Sequence, residues 1–125
     1  MEGKKVLIIE DDSFLSDMYN TKFTAEGFDV TLAQDGEDGL NILDGGLVPD
    51  VILLDIVMPK MDGIEVLGKI KKMDNIKDVP VVMLTNLGQK EEIEKAMQMG
   101  AKDYLIKANF IPSEVVKKVT EILNS

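Results

Sequence analysis

The sequence predicts an α/β fold, a five-stranded parallel sheet in doubly wound (βα)5 order with helices on both faces. Two observations predict it. Five short apolar runs recur along the 125 residues, each of strand rather than helix length and most of them rich in Val and Ile. Between the runs, apolar residues return at helical spacing, so each strand is followed by the crossover helix that a parallel neighbour requires.

The first run is VLIIE (6–10), followed by a helix with Leu15, Met18 and Tyr19 on one face and Gly27 at its end. FDVTLA (28–33) alternates apolar with polar residues and so reads as nearer an edge of the sheet. The helix after it, GEDGLNILDGG (36–46), is the weakest, because it contains Gly39 and closes on Gly45 and Gly46. VILLD (51–55) and VVMLT (81–85) are apolar up to their last residue, as strands covered on both faces are. Leu67 and Ile70 mark the third helix, and Ile93, Ala96 and Met97 the fourth, which Gly100 ends. YLIK (104–107) is the fifth strand, and Pro112 opens a last helix carrying Val115, Val119 and Ile122. No long linker, low-complexity tract or repeat interrupts the pattern, so residues 1–125 read as one domain.

Composition excludes several functions. With no cysteine there is no disulfide, thiolate nucleophile or cysteine zinc site, and with no histidine the commonest general base and metal ligand is missing. Chemistry here must run on carboxylates, hydroxyls and lysine. Fourteen basic against 23 acidic residues give a net charge of −9, which repels a phosphate backbone, so no direct nucleic-acid binding is expected. No apolar run approaches the ~20 residues of a bilayer span. The N-terminal MEGKKVLIIEDD places acids where an export signal would carry small residues. A soluble chain without membrane association is expected.

In sheets of this kind ligands bind beyond the carboxyl ends of the strands. Those ends carry Glu10, Asp11 and Asp12 after the first strand, Asp55 after the third, Thr85 after the fourth and Lys107 after the fifth. The second contributes only Ala33 and Gln34. Carboxylates such as Asp11 and Asp55 repel one another unless a cation is shared between them, and an all-oxygen donor set that leaves room for phosphate oxygens favours Mg²⁺. Thr85 and Lys107 are a neutral and a cationic donor, the pair that suits a phosphoryl group in transfer. An aspartate can itself accept that group as an acyl phosphate, which would give Asp55 a task. Taken singly, each feature has a plainer reading. The acids after a strand suit a helix N-cap, Asp62-Gly63 a turn, Thr85 a strand-end hydroxyl, Lys107 a solvated charge and Tyr104 a core aromatic. Their joint placement on one edge favours a site.

In this order VLIIEDD, LLDIVMPKMDG, VVMLT and YLIK resemble the receiver domain of two-component response regulators, over almost the whole chain. In this the chain is similar to the stand-alone receivers of chemotaxis and phosphorelay systems. The resemblance implies a flavodoxin-like receiver fold and a cytoplasmic signalling switch. It implies that Asp55 takes a phosphoryl group from a histidine kinase or histidine phosphotransfer protein in a Mg²⁺-dependent reaction. Asp11 matches the acidic metal ligand, Glu10 the acid that acts through water, and Val57 the residue whose backbone carbonyl completes the metal site. Thr85 and Lys107 match the groups that grip the phosphoryl oxygens, and Tyr104 the aromatic that turns inward when the threonine moves. The resemblance further implies an output surface on the fourth helix, fifth strand and fifth helix for a downstream protein, in a monomer or a phosphorylation-promoted dimer. Asp12 falls at a variable position. Ala108 stands where the family has proline, which predicts a trans bond after Lys107 and a rearranged loop, since a cis bond without proline costs about 2.5–4 kcal/mol. Asn86 is larger than the small residue usual beside the threonine, which narrows access to the site.

Three rival functions differ in class. A Mg²⁺-dependent phosphatase with an aspartyl intermediate would use Asp-x-Asp, whereas Val57 stands two residues after Asp55. A nucleotide or flavin binder would carry a glycine-rich cradle where EDDSF follows the first strand. A degenerate receiver that only binds partners would have lost part of the acid, threonine and lysine set.

Overall fold

A computed structural model describes all 125 residues. Five parallel strands alternate with five helices: β1 (Lys5–Ile9), α1 (Ser13–Ala25), β2 (Asp29–Ala33), α2 (Gly36–Asp44), β3 (Val51–Asp55), α3 (Gly63–Ile70), β4 (Val81–Thr85), α4 (Lys90–Gln98), β5 (Asp103–Ile106) and α5 (Pro112–Asn124). The sheet order is β2-β1-β3-β4-β5, so the connections reverse direction after β2 and the edge beyond β1 and β3 is the switch point where a ligand can enter. This is the flavodoxin-like receiver fold.

Strand periodicity divides the core in two. Leu7, Ile9, Ile52, Leu54, Val81 and Met83 turn to the face covered by α2, α3 and α4. Val6, Ile8, Val51, Leu53, Val82 and Leu84 turn to the face covered by α1 and α5. Every residue of β3 and β4 is buried, which explains their unbroken apolar runs, whereas β2 is a half-exposed edge as its alternation predicts.

The predicted boundaries shift by a residue at the ends that matter. Glu10 lies just beyond β1, Phe28 precedes β2, and Lys107 leaves β5 to open a short 3-10 turn, Lys107–Asn109. All peptide bonds are trans, the one after Lys107 included. The weak second helix forms in full up to Asp44, capped by Asp35, whose side chain accepts from Asp38 N at 2.8 Å. Gly39 is there for packing: a Cβ would stand 2.5 Å from Ile9 Cδ1, so only glycine lets α2 approach the sheet this closely. Gly27 and Gly100 end α1 and α4 at φ of +89° and +103°, the left-handed turn that glycine makes without strain. No helix is long and apolar enough to cross a membrane.

Candidate phosphoryl-acceptor site

The acids are buried because the strands that end in them are. Glu10 and Asp55 follow the apolar runs of β1 and β3, and each is only 2% exposed. By strand parity both continue the α1/α5 face, as does Lys107 after Leu105. Asp12 turns away to cap α1, accepting from Leu15 N at 3.1 Å, which is the plain reading of that residue. Its own N–H donates to Glu10 Oε2 at 3.2 Å.

The loop after β3 folds back under Asp55. Gly63 N donates to the Ile56 carbonyl at 2.7 Å, and a Cβ on Gly63 would collide with the Asp55 carbonyl oxygen and Ile56 Cα. Asp62 caps α3 through Glu65 N at 2.9 Å, and Lys60 between Pro59 and Met61 takes a left-handed φ of 69°. Asp62-Gly63 is thus both a helix start and the wedge that fixes the backbone of Asp55.

Lys107 is the one cation among these acids. Its Nζ donates to Asp55 Oδ2 at 2.8 Å and lies 2.7 Å from Glu10 Oε1, the second contact being an ion pair outside hydrogen-bond angles. Burial lowers the Lys107 pKa, but Asp55 and Glu10 outweigh it and hold the ammonium above its usual range. Burial first, then the neighbouring Asp55, raises the Glu10 carboxyl, with Lys107 opposing. Partial burial and then Glu10 raise Asp11. Beneath the site the Tyr19 phenol is pushed up by burial and then by Glu10, Asp55 and Asp12, and it stays neutral.

Glu10, Asp11 and Asp55 can bring carboxylate oxygens within 4.8 Å of one another. Asp55 Oδ1 and Glu10 Oε1 are buried with no hydrogen-bond partner. Glu10 Oε1 has the Lys107 ammonium as a counterion, so Asp55 Oδ1 is left with neither donor nor counterion, and a buried anionic oxygen in that state calls for a cation. The donor set is oxygen only, so a hard divalent ion fits it.

Thr85 is fully buried at the end of β4, and its hydroxyl donates to the Leu105 carbonyl at 3.5 Å, toward β5. Tyr104 is turned outward, 39% exposed. Val57 and Leu87 are exposed on the loops flanking the site, 50% and 69% respectively. One contact beside the site escaped the reading from sequence: the Gln89 side-chain oxygen accepts from Asn86 N, next to Thr85, at 2.7 Å. Nothing in its residue type marks it, since the contact depends on how the loop closes.

Residues 6–120 match the family model described as response regulator receiver domain. The chain belongs to this family. As a receiver of a two-component system it resembles the RpaA transcriptional regulator of Synechocystis, 38% identical over 95% of this chain and 48% of the relative. It also resembles the transcriptional regulatory protein CpxR of Escherichia coli, 37% identical over 95% of this chain and 49% of the relative. The receiver spans about half the length of the curated relatives it matches. Among solved structures, the Francisella response regulator 1452 receiver domain shares 33% identity at a TM-score of 0.84, covering 98% of each chain. The chemotaxis protein CheY4 of Vibrio cholerae shares 28% at a TM-score of 0.88, covering 96% of this chain and 98% of that one. The acidic cluster of Glu10, Asp11 and Asp55 is therefore the acidic pocket of a receiver, and no catalytic enzyme family is indicated.

Proposed function

We propose that this receiver is a switch in which Asp55 accepts a phosphoryl group from a histidine kinase or a histidine phosphotransfer protein. The observation that carries the reading is the unequal state of the two Asp55 oxygens. Oδ2 is held by Lys107, while Oδ1 is buried and unpartnered. An oxygen kept out of water and free of donors retains its nucleophilicity, and the other oxygen fixes the carboxylate plane.

In the transfer, an Asp55 oxygen forms a bond to phosphorus as the bond from phosphorus to the donor nitrogen breaks, its electron pair staying on the nitrogen. Glu10, Asp11, Asp55 and the Val57 carbonyl would hold Mg²⁺, which offsets charge between carboxylate and phosphoryl group when bound. Lys107 can leave Glu10 to follow the phosphoryl oxygens, and Thr85 can exchange the long contact to Leu105 for a charged acceptor. The movement of Thr85 would open space for the Tyr104 ring and alter the surface of α4, β5 and α5 that meets a downstream protein. All 125 residues act as one receiver unit in the cytoplasm, monomeric or dimerising on phosphorylation, with no turnover of general phosphoesters.

Incubation with a small acyl phosphate and Mg²⁺, followed by intact-mass measurement, tests the reading. One added phosphoryl group that chelator prevents is expected; no gain in mass contradicts it.

A further inference from the structure

One donor at this edge remains outside the site as described, the backbone N–H of Asn86. In a parallel sheet, alternate residues of a strand turn both N–H and C=O to the same neighbour. The Leu84 carbonyl accepts from Ile56 N at 3.0 Å, so Asn86, two residues on, turns its N–H toward the end of β3. The next acceptor in that ladder would be the Ile56 carbonyl, but it accepts from Gly63 N. The Asn86 N–H donates to Gln89 Oε1 instead, at 2.7 Å.

Gln89 occupies the N-cap position of α4, yet its side chain does not cap its own helix, unlike Asp12, Asp35 and Asp62 at the starts of α1, α2 and α3. It is turned backward onto the loop. Gly88, at φ +85°, makes that reversal possible, because a residue with a side chain would be strained there.

We propose that Gln89 is a latch on the acceptor site: its amide oxygen occupies the Asn86 N–H and gives way when a phosphoryl group on Asp55 offers a stronger acceptor. The proposal rests on Asp55 being the acceptor. A phosphoryl oxygen is charged, and hydrogen bonds to charged acceptors are roughly twice as strong as neutral ones, so the exchange favours the phosphorylated form. The Gln89 side chain, once released, can turn forward to the unpaired N–H groups of the first turn of α4. Phosphorylation at the end of β3 would thereby be felt at the start of α4. Gln89 touches no reacting atom; it is a positioning residue that acts through Asn86.

The test compares the parent, Gln89→Ala and Gln89→Glu in acetyl phosphate and Mg²⁺. Intact mass follows phosphoryl gain, and ¹⁵N–¹H spectra follow the Asn86 amide and the residue 89 side chain. Gln89→Ala frees the donor, so it should gain the phosphoryl group roughly two- to tenfold faster, the range that one hydrogen bond controls. Its Asn86 amide should already be displaced from the parent position before phosphorylation. Gln89→Glu keeps an acceptor, so it should restore the hydrogen-bonded Asn86 shift and react more slowly than Gln89→Ala. Equal rates for parent and Gln89→Ala, with an Asn86 amide that phosphorylation does not move, overturn the latch while the added mass upholds Asp55 phosphorylation. A parent that gains no mass overturns both.

Discussion

Lys107 reaches Asp55 across an intervening strand: Lys107 follows β5 and Asp55 ends β3, with β4 between them, and the Nζ to Oδ2 distance is 2.8 Å. The long side chain crosses the sheet edge on the α1/α5 face, where it meets Glu10 as well. Removing the ammonium leaves two buried acids with no cation. Lys107→Met should therefore lower the stability of the metal-free fold by about 2–3 kcal/mol, part of which Mg²⁺ should restore. Urea unfolding in chelator and then in Mg²⁺ measures both; a variant as stable as the parent in chelator would show that the ion pair does not support the fold.

The pH dependence has a defined sign. The fold raises the Glu10 pKa above its ordinary 4.5, through burial and then Asp55, so it favours the protonated acid. That contribution to stability is fully present below the unfolded value and is lost as pH rises through the folded value. Lys107 is also raised, so its contribution is present below its ordinary 10.5 and is lost only at more alkaline pH. In chelator, the parent should lose stability relative to Glu10→Gln as pH is raised from about 4 to about 8. Urea midpoints of the two proteins over that window decide it, and a difference that does not change with pH would contradict the raised Glu10.

Gly63 is expected to be intolerant of any side chain. A Cβ there meets the Asp55 carbonyl and Ile56 Cα, both backbone, so neither can step aside without moving Asp55. Gly63→Ala should cost about 1–3 kcal/mol and slow phosphorylation together. Lys60→Asn in the same loop should be neutral or stabilising, since asparagine accepts the left-handed φ of 69° more readily than lysine. Denaturation midpoints and phosphorylation rates of both variants check the pair; a Gly63→Ala protein that phosphorylates like the parent would show that the loop does not position Asp55.

The fold was legible because its strands are short, apolar and set apart by helical spacing. VILLD and VVMLT are fully buried for the reason their composition suggests, and the rule that ligands meet strand ends led to Glu10, Asp55 and Lys107. What sequence could not place depends on contacts between distant residues. Lys107 sits in a 3-10 turn because β5 stops pairing after Ile106, which faces Thr85. The Thr85 rotamer follows from the Leu105 carbonyl, the strength of α2 from the fit of Gly39 over Ile9, and the Gln89 contact from a ladder donor displaced by Gly63.

The phosphorylated form should be long-lived, because Val57 and Leu87 on the two flanking loops carry no group that could orient an attacking water. A Val57→Asn, Leu87→Glu double variant should lose its phosphoryl group faster than the parent. Decay after removal of the phosphodonor measures this, and equal rates would mean that these side chains do not set the lifetime.

Asp55 as the sole acceptor is tested most directly by trapping the product. Borohydride reduces an aspartyl phosphate to homoserine, so phosphorylated protein can be reduced, digested and mapped by mass. The account predicts a single homoserine at position 55, absent without phosphodonor. Homoserine at Asp11 or Asp12, or a phosphorylated protein that yields none at 55, would contradict it.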